Sequence, residues 1–336
     1  MSDCPLPASL HYVDDTQPGL SRRRWRDRFH YFDAEGARIR DADTLARIAA
    51  LVIPPAYTEV WICADPQGHL QATGRDARGR KQYRYHAQWR ELRDGHKYGR
   101  MLAFAQALPG LRRQLELHLA RPGLDREKVM ALVISLLDST LIRIGNRRYL
   151  RDNRSYGLTT LNNRHVKVQG STIRFQFRGK RGVEHDVTLR DRRLAALLKR
   201  CMELPGQALF QYLDADGQRH SIGSTEVNQF LQQLTGADFT AKDYRTWAGS
   251  SLALSLLRPL AWEPDSEARR QAAGIVRQVA ARLGNTPAVC RRCYIHPAVL
   301  EHFHLGRLTA LPRARQRKGL EADEVALLRF LQALAP

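Results

Sequence analysis

The stretch Val129-Met-Ala-Leu-Val-Ile-Ser-Leu-Leu-Asp-Ser-Thr-Leu-Ile-Arg-Ile-Gly-Asn-Arg-Arg-Tyr149 joins a strongly apolar run to a basic turn. Apolar residues at helix spacing continue from Val129 to Leu141, which predicts a buried helix. On this reading the helix ends at Arg143, a cation suited to the negative end of the helix dipole, just before Gly145-Asn146. Upstream, the same spacing recurs through Met101, Phe104 and Leu108, then Leu111, Leu115 and Leu119, so helix is expected from about Ala87 onward. Before it, Arg28-Phe-His-Tyr-Phe-Asp33 alternates into the turn Ala34-Glu-Gly36, and Glu59-Val-Trp-Ile-Cys-Ala-Asp65 alternates into Pro66-Gln-Gly68. Downstream, Ile173, Phe175 and Phe177 alternate, Gly179-Lys-Arg-Gly182 turns, and Val183 to Val187 returns, giving one hairpin among helices. Helical periodicity resumes at Arg192. A basic linker, Arg313-Ala-Arg-Gln-Arg-Lys318, leads to a last helix from Ala322 to Leu334. The pattern predicts an α+β chain, with a small strand-rich N-terminal domain (1–88) and a larger, mainly helical domain (89–336).

The chain has 336 residues, long enough for two domains, and 54 Lys and Arg against 34 Asp and Glu leave a net charge of +20. An excess of that size attracts polyanions, nucleic acid foremost. Apolar runs such as Val129 to Leu137 are too short to span a bilayer, which argues against a membrane protein. Met1-Ser-Asp-Cys-Pro5 lacks the basic-then-apolar pattern of a signal peptide, so a cytoplasmic, nucleoid-associated location is expected. The five cysteines, Cys4, Cys63, Cys201, Cys290 and Cys293, fit a reducing compartment. Cys290 and Cys293 form one CxxC with no second ligand pair beside it, and they read as structural thiols rather than a zinc site. The charge is clustered: between Arg75 and Arg100 stand nine Lys and Arg against three acids, interleaved with Tyr83, Tyr85, Trp89 and Tyr98. Such a mixture suits phosphate contact with packing on sugars or bases, and equally suits a solvated charged face.

Five positions lie in settings that suit an anion. Arg143 follows the apolar helix, and Lys180 sits at the hairpin tip. Arg245 falls in the first turns of a helix announced by Thr240-Ala-Lys-Asp243, a start resembling a capping box, where free amide hydrogens and a guanidinium fork can face a phosphate. Asn285 follows Gly284, a helix C-cap, and Thr286-Pro287 opens a new short helix. Tyr294 lies on that helix just before His296-Pro297. Taken singly, each has an ordinary structural explanation, such as a solvated turn lysine or a packed tyrosine.

Together these segments resemble one family along nearly the whole chain. Ile142-Arg-Ile-Gly-Asn-Arg-Arg-Tyr149, Tyr156-Gly-Leu-Thr-Thr-Leu161 with Arg164-His165, and Phe177-Arg-Gly-Lys180 are similar to the small type IB DNA topoisomerases of bacteria and poxviruses. So are Lys242-Asp-Tyr-Arg-Thr-Trp247 and Leu283-Gly-Asn-Thr-Pro287 with Tyr294. Upstream, Gly74-Arg-Asp-Ala-Arg-Gly-Arg-Lys-Gln-Tyr83 resembles that family's DNA-clamping module. The resemblance implies the catalytic fold shared by tyrosine recombinases and type IB topoisomerases, closing around duplex DNA as a monomeric clamp. It implies Tyr294 as nucleophile, Arg143 and Arg245 on the non-bridging phosphate oxygens, and Lys180 as the acid that protonates the leaving 5′-oxygen. Asn285 stands where many members carry histidine; an amide can donate a hydrogen bond but cannot act as a base. Arg80, Tyr83 and Tyr149 are implied DNA contacts. With no carboxylate cluster for a two-metal site, no HExxH and no P-loop, neither metal nor nucleotide cofactor is expected. Tyrosine recombinases are the nearest alternative, but they usually carry histidine where this chain has Lys242. A DNA-binding protein that kept the fold and lost catalysis is the other.

Overall fold

Strand β1 (Leu20–Trp25) is hidden in sequence by its three consecutive arginines. It pairs antiparallel with β2 (Arg28–Phe32), and Arg22 is absorbed by donating to the carbonyls of Ile53, Pro54 and Tyr57. Helix α1 (Ala42–Ala50) starts at Asp41, whose carboxylate accepts from the Thr44 amide. Strands β3 (Thr58–Ile62), β4 (Leu70–Arg75) and β5 (Lys81–Tyr85) complete an antiparallel sheet of order β2-β1-β3-β4-β5. Directly opposed residues share a face. The row Leu20, Ile62, Ala72 packs with Ile48 of α1 to form a small core. The row Ser21, Trp61, Thr73, Tyr83 lies on the opposite face, which that core does not use. This computed structural model describes residues 6, 8–264, 266–308 and 314–334, so the Met1-to-Pro5 segment and Arg313 of the basic linker fall outside it.

The chain divides into two compact units, Met1–Lys97 and Tyr98–Pro336. Helix α2 (Ala87–Ala120) begins in the first and continues into the second. Next come α3 (Arg126–Thr140), α4 (Arg147–Asn153) and a three-stranded antiparallel sheet of β6 (Val166–Gln169), β7 (Thr172–Arg178) and β8 (Glu184–Arg190). Helix α5 (Arg192–Glu203) leads to β9 (Gln211–Leu213) and β10 (Arg219–Ser221). These two, and β6 with β7, form further hairpins that the expectation of one hairpin missed, since strands of three or four residues are too short to show alternation. Helices α6 (Ser224–Thr235), α7 (Ala241–Leu257), α8 (Ser266–Leu283), α9 (Pro287–Cys293), α10 (Pro297–His304) and α11 (Ala322–Leu334) follow. A small antiparallel-sheet N-terminal part and a mostly helical remainder are thus as expected. Among the described residues no helix is long and apolar enough to cross a membrane.

Helix α3 is the axis of the larger core. From Val129 to Leu137 only Ser135 is not fully buried, as a helix apolar on all sides requires. The helix stops earlier than the sequence suggests. Leu141 adopts the left-handed region (φ 59°), so Arg143 lies beyond the helix rather than at its end. The reason is tertiary, for the Leu141 carbonyl is taken by the Arg245 guanidinium. Arg112 of α2 ties in the C-terminal helix. Its guanidinium grips Asp138 of α3 at 2.7 and 2.9 Å and Glu324 of α11 at 2.7 and 3.0 Å, and Glu324 also accepts from the Trp247 indole of α7 at 2.9 Å. Burial pushes the Glu324 carboxyl up, but the Arg112 hydrogen bonds and charge outweigh it and leave it below its ordinary value.

Candidate active site

Arg143 is held by its own backbone. Its carbonyl accepts from Leu158 N–H at 2.8 Å, and that of Ile144 accepts from Thr159 N–H at 2.7 Å. The close approach requires glycine on both sides: Gly145 sits at φ +90°, and a Cβ on Gly157 would stand 2.5 Å from the Arg143 oxygen. The Arg143 side chain then donates to the Gly284 carbonyl at 3.0 Å and to the Asn285 side-chain oxygen. Asn285 is presented by the end of α8: Gly284 N–H bonds Ala281 O, and Asn285 N–H bonds Ala280 O, with Gly284 at φ +58°. Thr286 caps α9 as expected, accepting from Val289 N–H, with Pro287 as its first residue.

Arg245 lies on α7 behind a start in which Asp243 accepts from the Thr240 N–H at 2.8 Å and hydroxyl at 2.9 Å. Only 3% exposed, it donates to the Leu283 carbonyl at 2.7 Å as well as to Leu141. Its guanidinium carbon lies 5.2 Å from the ring centroid of Tyr294. Tyr294 is the C-cap residue of α9, one position past the helix, and its carbonyl accepts from Ser250 Oγ at 3.3 Å. One helix, α7, therefore supplies both a guanidinium and the seat of the tyrosine.

Lys180 occupies the turn between β7 and β8, exposed, with its ammonium 5.2 Å from the ring centroid of Tyr149 on α4. Arg143, Tyr149, Lys180, Arg245 and Tyr294 line one pocket of about 270 Å³, with Lys242 at its wall. Asn285 joins them through Arg143. A larger cavity of about 750 Å³ between α8, α9 and α10 contains none of these groups. Size is a poor guide here, since the smaller pocket has the convergent polar groups.

Two guanidiniums give the pocket a positive potential. Burial, and then the neighbouring charge of Arg245, pull Arg143 down to about 10. Burial likewise lowers Arg245, partly offset by the Tyr294 phenol. Three buried side-chain nitrogens here make no hydrogen bond within the described chain: Arg143 Nη1, Arg245 Nε and Asn285 Nδ2. All three are donors. With the Asn285 oxygen committed to Arg143, what remains of the amide is its NH₂ group. Leaving a buried donor unmatched costs about 1–3 kcal/mol, so an anion rich in acceptor oxygens would relieve all three.

The remaining expected contacts lie elsewhere. Tyr83 is on β5, 49% exposed and stacked on Tyr85 with centroids 6.1 Å apart. Arg80 turns its guanidinium onto Asp76 at 2.6 Å, so a phosphate there would compete with that carboxylate, which the pairing holds at about 2. Cys290 is buried, its thiol pushed up to about 11 by burial. Among the described residues no three His, Cys, Asp or Glu side chains are grouped to hold a metal ion. Two residues at the site escaped sequence reasoning. His185 on β8 was merged into an alternating strand, and Gly249 on α7 carried no signal beyond its small size.

Residues 86–314 match the catalytic core of eukaryotic DNA topoisomerase I, and residues 28–76 match the N-terminal domain of bacterial DNA topoisomerase IB. DNA topoisomerase 1B of Acanthamoeba polyphaga mimivirus is 30% identical over 293 residues, covering 85% of this chain and 87% of that protein. DNA topoisomerase 1B of vaccinia virus (strain Copenhagen) is 23% identical over 248 residues, 73% of this chain and 75% of the viral one. Monkeypox virus DNA topoisomerase I is similar to the same degree. With a core match over about two thirds of its length and a 30% identical relative along most of it, the chain belongs to the type IB DNA topoisomerases.

Proposed function

We propose that this chain relaxes supercoiled duplex DNA through a covalent bond between Tyr294 and the 3′-phosphate of one cleaved strand, on the catalytic fold that tyrosine recombinases share. The phenol oxygen attacks phosphorus, the P–O5′ bond breaks, and Lys180 delivers a proton to the departing 5′-oxygen while the phenol proton passes to solvent. Arg143, Arg245 and Asn285 hold the non-bridging oxygens, where negative charge grows in the transition state. The observation that carries this reading is the set of three unmatched donors beside the Tyr294 ring. The phosphotyrosyl ester stores the bond energy, so the 5′-hydroxyl reseals the strand in the reverse reaction without ATP or metal.

The N-terminal unit grips DNA in this proposal. Supporting it is the sheet face opposite the small core, where Arg23 and Trp25 of β1 continue the side of the sheet that carries Tyr83. Trp25 is 70% exposed at a hairpin tip flanked by arginines. Basic and aromatic side chains on one open face suit phosphates and bases together. One tyrosine acting on one strand needs a single copy of the chain, and DNA in the nucleoid is its substrate. The test is relaxation of positively and negatively supercoiled plasmid in EDTA without nucleotide. A ladder of closed topoisomers that weakens steeply with salt is expected; intact DNA binding with unchanged linking number would leave a binding protein instead.

A further inference from the structure

The ring of His185 lies where two segments of the site meet. It stands directly across from Phe177 on β7, the two rings stacked with centroids 4.8 Å apart and an interplanar angle of 6°. At one edge is Gly179, where a Cβ would come 2.6 Å from both Cδ2 and Nε2 of the imidazole. At the adjoining edge, across Nε2, is Gly284, where a Cβ would overlap Cε1 and lie 3.1 Å from Nε2. Both glycines are therefore in main-chain contact with the same ring. Gly179 immediately precedes Lys180, and Gly284 immediately precedes Asn285 and gives its carbonyl to Arg143.

We propose that His185 is a positioning residue that sets the distance between the Lys180 turn and the Gly284–Asn285 turn, and so aims the Lys180 ammonium at the leaving 5′-oxygen. The proposal rests on the reading of Lys180 as proton donor. The physical case is one of shape. The β7–β8 turn is short and exposed, Lys180 has a flexible four-carbon stem, and Arg181 adopts φ 64° within it. Such a turn needs an external stop to place its lysine, and a flat, rigid ring packed against two Cβ-free positions around its Nε2 corner is one. Imidazole also suits the charge environment. Burial, and then Arg143 and Arg245, hold it down to about 4, so it stays neutral beside two guanidiniums. A lysine or arginine of equal bulk would add a third positive charge, and an acid would capture the guanidiniums meant for phosphate.

The experiment is single-turnover cleavage of a duplex oligonucleotide carrying either a normal 5′-oxygen or a bridging 5′-sulfur at the scissile phosphate. With sulfur, the P–S bond breaks and a thiolate leaves without a proton, so a misplaced acid no longer matters. His185→Ala should cleave the normal duplex about 10²-fold slower, the cost of an ångström-scale misplacement, and sulfur should restore most of that rate, as in Lys180→Ala. Arg143→Ala, the control for lost phosphate binding, should gain far less. Gly179→Ala presses on the Cδ2–Nε2 edge of the ring at an unstrained φ of −94° and should show the same sulfur-rescued defect, which decides the matter if His185→Ala does not fold. Rescue of Lys180→Ala but not of the His185 and Gly179 variants would overturn the inference alone. Normal-substrate rates at the wild-type level in those variants would overturn it too. Failure of sulfur to rescue Lys180→Ala would overturn the proton-donor reading and the inference with it.

Discussion

Gly249 lies against the main chain of Tyr294: a Cβ added at Gly249 would stand 2.5 Å from the Tyr294 carbonyl oxygen and 3.2 Å from its own Cβ. The contact is backbone to backbone, so no rotamer change can relieve it. Gly249 is one helical turn beyond Arg245, and the next residue, Ser250, hydrogen-bonds both the Tyr294 carbonyl and the His296 amide. The tyrosine and the arginine thus take their spacing from a single turn of α7.

Gly249→Ala should therefore displace Tyr294 while adding only one methyl group. Cleavage is expected to fall about 10²-fold, as for a misplaced reacting group, with duplex affinity within a few-fold of wild type. Parallel measurement of single-turnover cleavage and gel-shift affinity checks this. Unchanged cleavage would mean that the seat on α7 does not govern the nucleophile.

Asn285 tests which property of that position matters. Its oxygen accepts from Arg143, and its NH₂ is the unmatched donor. Asn285→Ala should lose about 10²–10³-fold in cleavage rate, as for an oxyanion donor. Asn285→His, which can also donate, should retain activity within about tenfold. A histidine variant as slow as the alanine one would place the requirement on the Arg143 bond instead.

Much of this arrangement is legible locally. The Thr240–Asp243 start, the Gly284 turn, the Thr286-Pro287 opening and the inward trio Ile173, Phe175 and Phe177 are each written in a few neighbouring residues. The final helix has the expected bounds, Ala322–Leu334. The rest depends on partners distant in sequence. Leu141 leaves the helix because Arg245 takes its carbonyl, a bond spanning 104 positions. His185 looks like an ordinary inward strand residue until Gly179 and Gly284 are seen at its edges. The strand Leu20–Trp25 is concealed because Arg22 is hydrogen-bonded by three carbonyls from another loop. Charge in a strand reads as loop when its acceptors are out of view.

The C-terminal helix offers a stability prediction. Removing one partner of a buried ion pair leaves the other uncompensated, at a cost of about 3–5 kcal/mol. Glu324→Ala would strand one side of the Arg112 guanidinium and the Trp247 indole. A lowered urea midpoint with an unchanged slope is expected; a midpoint within error of wild type would show that α11 is not anchored through Arg112.

His185 predicts a pH dependence. Its folded-state value of about 4 lies below the ordinary 6.5, so the unfolded chain binds the extra proton between those limits. Stability should then rise with pH across that window and be lost as pH falls from about 6.5 to about 4. Because the ring is partly accessible, about 1 kcal/mol is expected between pH 7 and pH 5. That increment should be absent from His185→Gln in paired denaturant titrations. Identical pH profiles for the two proteins would show that the ring is not held neutral.

Cleavage by this mechanism leaves Tyr294 joined to DNA. The most direct measurement is a denaturing gel of a duplex labelled on the 5′ side of the scissile phosphate, followed by peptide mass analysis of the adduct. The wild-type chain should retain the label as a covalent complex, with the mass of a 3′-phosphonucleotide on the peptide containing Tyr294. Tyr294→Phe should bind the duplex nearly as well and give no complex. An adduct that persists in Tyr294→Phe, or one mapped to a different residue, would contradict the account.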